Sequence, residues 1–107
     1  MKGLAGDIPI VKNKVGNQHR FELRLDEGTA YVEYLLNQQG TIYLTHTEVP
    51  ASLEGRGVGS ALVNKVLDHI RNEGLKMAPL CPFIAAFLKR HPKKAEGLLA
   101  PGFQIGS

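Results

Sequence analysis

The sequence predicts an α/β (α+β) fold: a mixed, mainly antiparallel sheet carrying two main helices. Three observations predict it. Residues 20–48 hold three segments rich in apolar, β-branched and aromatic residues, separated by turns of only a few residues, as in an antiparallel meander. Residues 57–72 repeat apolar side chains at spacings of three and four, the period of a helix with one broad buried face. A short apolar run at 75–80 follows that helix, so it runs parallel to the strand before it, and a second helical stretch follows at 82–90.

Taken in order, residues 1–8 read as a loose lead-in, and Ile10, Val11 and Val15 are scattered, enough for brief pairing or none. In Arg20-Phe21-Glu22-Leu23-Arg24-Leu25 the apolar residues Phe21, Leu23 and Leu25 share a face, which makes a half-buried strand. Asp26-Glu27-Gly28 turns the chain into a second strand, Thr29 to Leu36. Asn37-Gln38-Gln39-Gly40 turns it again into Thr41 to Glu48. Pro50 has no N–H to donate and ends that strand's pairing. The first helix runs from Gly57 to Asn72, with Gly74 as its C′ residue. Leu75 to Leu80 is the next strand. Pro82 to Arg90 is a second helix with Ile84, Phe87 and Leu88 inward, ended by Pro92. The tail from Lys93 to Ser107 is broken by glycine and proline and offers Leu98, Leu99 and Phe103 for docking on the body.

At 107 residues the chain is expected to be one domain spanning 1–107, with a modest core. Its 43% apolar fraction is that of a globular chain. No apolar run approaches the roughly 18 residues of a membrane span, and the N-terminus lacks a signal peptide's apolar core. One cysteine makes no internal disulfide, and no Cys/His spacing reads as a metal site. Together these point to a cytoplasmic protein without a metal. Thirteen Lys and Arg against ten Asp and Glu give a net charge of +3, suited to a polyanionic small ligand. The four Phe and three Tyr are not interleaved with a basic stripe, which argues against a nucleic-acid interface. The strand at 20–25 is an edge, free to pair between chains or to be covered by the N-terminus, so the expected state is a monomer or weak dimer.

Glu54-Gly55-Arg56-Gly57-Val58-Gly59-Ser60 sets three alternate glycines at a helix start, where each costs roughly 1 kcal/mol relative to alanine. Two reasons compete: close helix–strand packing, or a ligand that must reach the main chain. The first N–H groups of a helix have no intrahelical acceptor and carry the positive end of its dipole, so removing side chains lets a phosphate sit on them. The spacing excludes a P-loop, since no Lys follows Gly59, and excludes Gly-x-Gly-x-x-Gly.

The turn resembles the Arg/Gln-x-x-Gly-x-Gly/Ala loop of the GCN5-related N-acetyltransferases, with Gly57-Val58-Gly59 in register and Glu54 where Arg or Gln is usual. The wider series His46-Thr47-Glu48-Val49-Pro50, Glu54 to Ser60, Pro79-Leu80-Cys81-Pro82-Phe83 and Arg90-His91-Pro92 is similar to the small YjdJ-type (NATD1-like) branch, where an acidic residue at that loop position is common. The resemblance covers roughly residues 20 to 92. It implies a minimal acetyltransferase fold splayed between strands 41–48 and 75–80, and acetyl transfer from acetyl-CoA to an amine of a small molecule or a protein. It also implies that the pantetheine arm pairs with main chain near Thr47 and Val49, and that the diphosphate rests on Gly55, Arg56, Gly57, Val58, Gly59 and Ser60. Larger acetyltransferases of this type carry helices between their first two strands. Too few residues separate Leu25 from Thr29 for those, so the acceptor side is expected to be open. A non-catalytic module that keeps the coenzyme loop is the alternative.

His46, Glu48 and Cys81 are the candidate catalytic residues. His46 and Glu48 lie two apart on a strand and are expected on the face that Ile42 and Leu44 open, at a strand's C-terminal end. An imidazole there can take a proton from an ammonium or relay one through water, or it is a hydrogen-bonded structural residue. Glu48 is a general base or a solvated rim residue. Cys81 ends the neighbouring strand and is expected to face His46. Its thiol can donate a proton to the departing thiolate, attack the thioester, or serve as a small buried hydrophobe. Tyr31, Tyr34 and Tyr43 pack in the sheet or supply a proton. Lys89, Arg90, Lys93 and Lys94 suit a helix C-terminus or a coenzyme phosphate.

Overall fold

The computed structural model describes residues 8–104. Five strands, β1 (Val11–Val15), β2 (Gln18–Leu25), β3 (Gly28–Leu36), β4 (Thr41–Glu48) and β5 (Lys76–Pro79), form one sheet in that spatial order. The first three pairings are antiparallel, and β4 pairs β5 in parallel across the crossover helix α1 (Val58–Asn72). Helix α2 (Pro82–Arg90) follows β5. The mixed sheet and its two helices are those expected. The lead-in before Ile8 and the last three residues of the tail fall outside the described residues.

Two features extend the sheet beyond the meander and its parallel strand. Val11–Val15 is a strand after all, joined to β2 by the two-residue turn Gly16-Asn17, with Gly16 at φ +61°. It covers the β2 edge, which is therefore not free to pair between chains. At the other end, the tail adds main chain to the far edge of β5: Met77 N–H donates to the Leu98 carbonyl and Ala100 N–H to the Met77 carbonyl. Leu98 is buried and Phe103 stands edge-on to Tyr43, as the docking expectation required.

The core lies on one face of the sheet. Phe21, Leu23, Val32, Tyr34, Ile42 and Leu44 meet Leu62, Val63, Val66 and Ile70 of α1, and Ile84, Phe87 and Leu88 of α2 join the same cluster. Each fully buried aliphatic side chain contributes about 1.5–3 kcal/mol of transfer free energy. Helix α1 closes on a Schellman cap: Leu75 N–H reaches the Ile70 carbonyl and Gly74 N–H the Arg71 carbonyl, with Gly74 at φ +69°.

The opposite face of the sheet carries a polar cluster around Glu22, which is only 5% exposed. Its carboxylate accepts from Asn13 Nδ2 at 3.1 Å and Arg24 Nε at 2.9 Å, while Arg20 stands 3.6 Å away with its guanidinium stacked on the Tyr31 ring. Burial pushes the Glu22 carboxyl up, but the Asn13 and Arg24 hydrogen bonds and the charges of Arg24 and Arg20 outweigh it and hold its pKa below the ordinary value. A carboxyl depressed by folding contributes stability above its unfolded pKa, and that contribution is lost as pH falls through the folded value. Stability from denaturant melts is therefore expected to fall once the pH drops below about 4.5. Glu22→Gln is expected to flatten that acid limb and to lower stability at neutral pH by about 1–3 kcal/mol. An unchanged acid limb would show that other carboxylates control it.

Candidate active site

The site forms where β4 and β5 separate. Their pairing runs from Thr41 opposite Lys76 to Leu44 opposite Pro79 and ends with Cys81 N–H donating to the Leu44 carbonyl at 2.9 Å. Pro79 and Pro82 cannot donate, and a turn at Leu80 carries the chain into α2. On the other side β4 is bulged: Leu44 lies opposite Tyr34 and His46 opposite Glu33, so Thr45 is an extra residue. A bulge bends its strand and sharpens the twist, which turns the end of β4 away from β5. Beyond Leu44, the outer edge of β4 has no strand beside it among the described residues.

The glycine turn closes the other end. Leu53 of the 3-10 turn Ala51–Leu53 is buried in the core, Ser52 Oγ donates to the Glu27 carbonyl, and Arg56 stands 3.5 Å from the Glu27 carboxylate. The β2–β3 turn thus props the loop, a role for Glu27 that its sequence does not signal. Gly55 and Gly57 have φ of +79° and +75°, and a Cβ added at either meets nothing within 4 Å. Backbone conformation requires glycine at both, and the space over them is open. Gly59 is different: it is helical, and an added Cβ would lie 2.6 Å from Phe83 Cζ. Helix α1 begins with no side-chain cap and no acidic residue in its first turn, so its leading N–H groups face outward at the positive end of the dipole.

A cleft of about 470 Å³ joins these parts. Thr47, Glu48 and Val49 of the β4 end, Leu53, Glu54, Gly55, Gly57, Val58, Gly59 and Ser60 of the turn, and Phe83 of α2 line it. The structure therefore brings together every residue expected at the coenzyme loop except Arg56, whose guanidinium is directed to Glu27. Lys89 and Arg90 are exposed at the far end of α2, roughly 9 Å or more from Phe83 by helix rise, and Lys93 and Lys94 are exposed in the 3-10 turn Pro92–Ala95 beyond it. Tyr34 is a core ring stacked on Phe21, its hydroxyl pKa raised by burial, and is not available as an acid at the cleft.

The placement of His46 and Glu48 corrects the sequence reading. Counting alternate residues from Ile42 and Leu44 puts them on the core face, but the extra residue at Thr45 reverses the alternation. His46 faces with Glu33 and Glu48 with Tyr31, on the open polar face, while Thr47 takes the core side with Val32. His46 Nε2 and Glu48 Oε1 are 3.0 Å apart, both about half exposed. Cys81, 2% exposed at the N-cap of α2, consequently does not face His46: its Sγ–H donates to Thr47 Oγ1 at 3.2 Å across the split. The candidate thiol and the His46–Glu48 pair stand on opposite sides of the sheet, with the split between them.

A mixed sheet that opens at its parallel pair, with an uncapped glycine turn feeding the opening, is the minimal fold of an acyl-group transferase. A family model described as "GCN5-related N-acetyl-transferase" matches residues 20–97. The chain belongs to the GCN5-related N-acetyltransferase family, in its NATD1-like branch. It is 32% identical to Protein NATD1 of Xenopus tropicalis over 79 residues, covering 70% of this chain and 71% of that protein. It is also 32% identical over 88 residues to the Mus musculus and Homo sapiens proteins of that name, covering 78% of this chain and 78% and 76% of theirs.

Proposed function

We propose that this protein transfers an acetyl group from acetyl-CoA to an amine. The observation that carries the reading is the continuous cleft from the uncapped start of α1 to the unpaired end of β4. The diphosphate rests on the N–H groups of the turn, and the pantetheine arm runs into the split beside Thr47 and Val49, presenting the thioester between the two sheet faces. The amine approaches from the open polar face, where Glu48, paired with His46, accepts its proton. The amine nitrogen attacks the thioester carbonyl, the C–S bond breaks, and the leaving sulfur takes its proton on the other side from Cys81. Holding the thioester against the amine supplies most of the acceleration through proximity, and general acid–base help adds to it. The lone cysteine supports a reducing, cytoplasmic setting.

Separation of Cys81 from His46 favours direct transfer over an acyl-cysteine, because the imidazole that would deprotonate the thiol stands on the other face. Protein mixed with acetyl-CoA and a panel of primary amines is expected to release free thiol and acetylated amine, with no acetyl mass on Cys81. An acetyl group found there would overturn direct transfer. One observation favours a second reading, a coenzyme-binding module without turnover: β2 and β3 are joined by a tight turn, and among the described residues no helix covers the polar face. Coenzyme binding without any thiol release would establish that reading instead.

A further inference from the structure

We infer that Phe83 is the apolar seat of the pantetheine arm, an assignment that rests on the coenzyme reading above and adds a residue to it. The ring is 41% exposed, unusual for a phenylalanine on a helix whose other large apolar residues, Ile84, Phe87 and Leu88, are buried. It is held there by the absence of a side chain at Gly59, where a Cβ would lie 2.6 Å from Cζ and 3.3 Å from Cε2. Gly59 has ordinary helical backbone, so neither a turn nor a positive φ requires glycine there. It costs helix stability of roughly 1 kcal/mol relative to alanine, and the Phe83 ring is what occupies the space. The helix start is thus shaped to let an aromatic ring lie in the cleft wall.

The ring's position along the cleft selects which part of the coenzyme it meets. At one end it touches Gly59, within the turn assigned to the diphosphate. Two residues before it, Cys81 bonds Thr47 at the split assigned to the thioester. Phe83 therefore stands between diphosphate and thioester, a stretch filled in coenzyme A by the branched pantoyl group and its amide-linked methylenes. Adenosine lies beyond the diphosphate in the other direction. An exposed aromatic face on this stretch gives the methyl-bearing pantoyl unit a surface to cover and removes its own apolar area from water.

The experiment titrates wild type, Phe83→Ala, Phe83→Leu and Gly59→Ala with acetyl-CoA, 4′-phosphopantetheine and adenosine 3′,5′-bisphosphate by calorimetry. Phe83→Ala is expected to weaken acetyl-CoA and 4′-phosphopantetheine about tenfold while leaving adenosine 3′,5′-bisphosphate unchanged, with Phe83→Leu between it and wild type. Gly59→Ala, which displaces the ring, is expected to lose affinity for the same two probes, and the Gly59→Ala/Phe83→Ala pair to bind them no worse than Phe83→Ala alone. Wild-type affinity in Phe83→Ala, or an equal loss for the adenosine probe, overturns the seat while leaving the coenzyme reading intact. A wild-type protein that binds none of the three probes overturns the coenzyme reading, and the seat with it. Because Phe83 is half exposed, its truncation is expected to leave thermal unfolding within a few degrees of wild type, and Phe83→Leu keeps the comparison if it does not.

Discussion

Ser60→Glu is expected to make the protein more stable and unable to bind acetyl-CoA. Ser60 is exposed in the first turn of α1, which holds no acidic residue. A carboxylate there meets the positive end of the helix dipole and adds about 0.3–1 kcal/mol, or a few degrees in melting temperature. The same charge would lie within a few ångströms of a bound diphosphate, and repulsion of several kcal/mol at that range corresponds to a loss on the order of a hundredfold or more in affinity. Misfolding would lower stability and binding together, so the opposite signs separate a local charge effect from loss of the fold. Gly57→Val is expected to lose binding as completely by filling the space over the turn. At φ +75° its valine also costs about 1–3 kcal/mol of backbone strain, which lowers the melting temperature without unfolding the chain. Normal coenzyme affinity in both variants would remove the phosphate role of the turn.

The second large effect is expected on the open face of the sheet. Glu48→Gln and His46→Ala are each expected to lower kcat by about 10²–10⁴ with coenzyme affinity retained, because the pair acts on the incoming amine rather than on the donor. The two losses should not add, since His46 Nε2 and Glu48 Oε1 are hydrogen-bonded at 3.0 Å and act as one unit. Steady-state rates measured with a saturating donor and a competent amine, beside calorimetric affinity for acetyl-CoA, test this. Undiminished turnover in both variants would move the proton-accepting role elsewhere. Loss of coenzyme affinity in step with rate would make the pair structural.

Local rules account for most of the fold. Alternation in 20–25, composition and short turns identified three strands, the 3.6-residue period identified α1, and proline and glycine bounded both helices. They left β1 undecided between brief pairing and none, because no side chain of Val11–Val15 is buried and a strand without a buried face has no hydrophobic period. Its signal was the turn: Gly16-Asn17 is a two-residue hairpin dipeptide between two extended runs. The tail's addition to β5 was less legible still, because it rests on three residues of main-chain bonding that leave no pattern in side chains.

The site divides along the same line. The sequence alone determined the glycine turn, because its constraints are local: glycine at positive φ, a helix beginning without a cap, proline where pairing must stop. The tertiary structure decided the rest. One extra residue at Thr45 reversed the alternation of β4, sending His46 and Glu48 to the polar face and leaving Cys81 to Thr47, and nothing in the identity of a threonine announces a bulge. Gly59 likewise reads as part of a phosphate loop until α2 is folded against α1 and the ring of Phe83 takes the space where its side chain would be. Side-chain facing and close approach belong to pairs of elements, and a one-dimensional pattern records only what each element requires of itself.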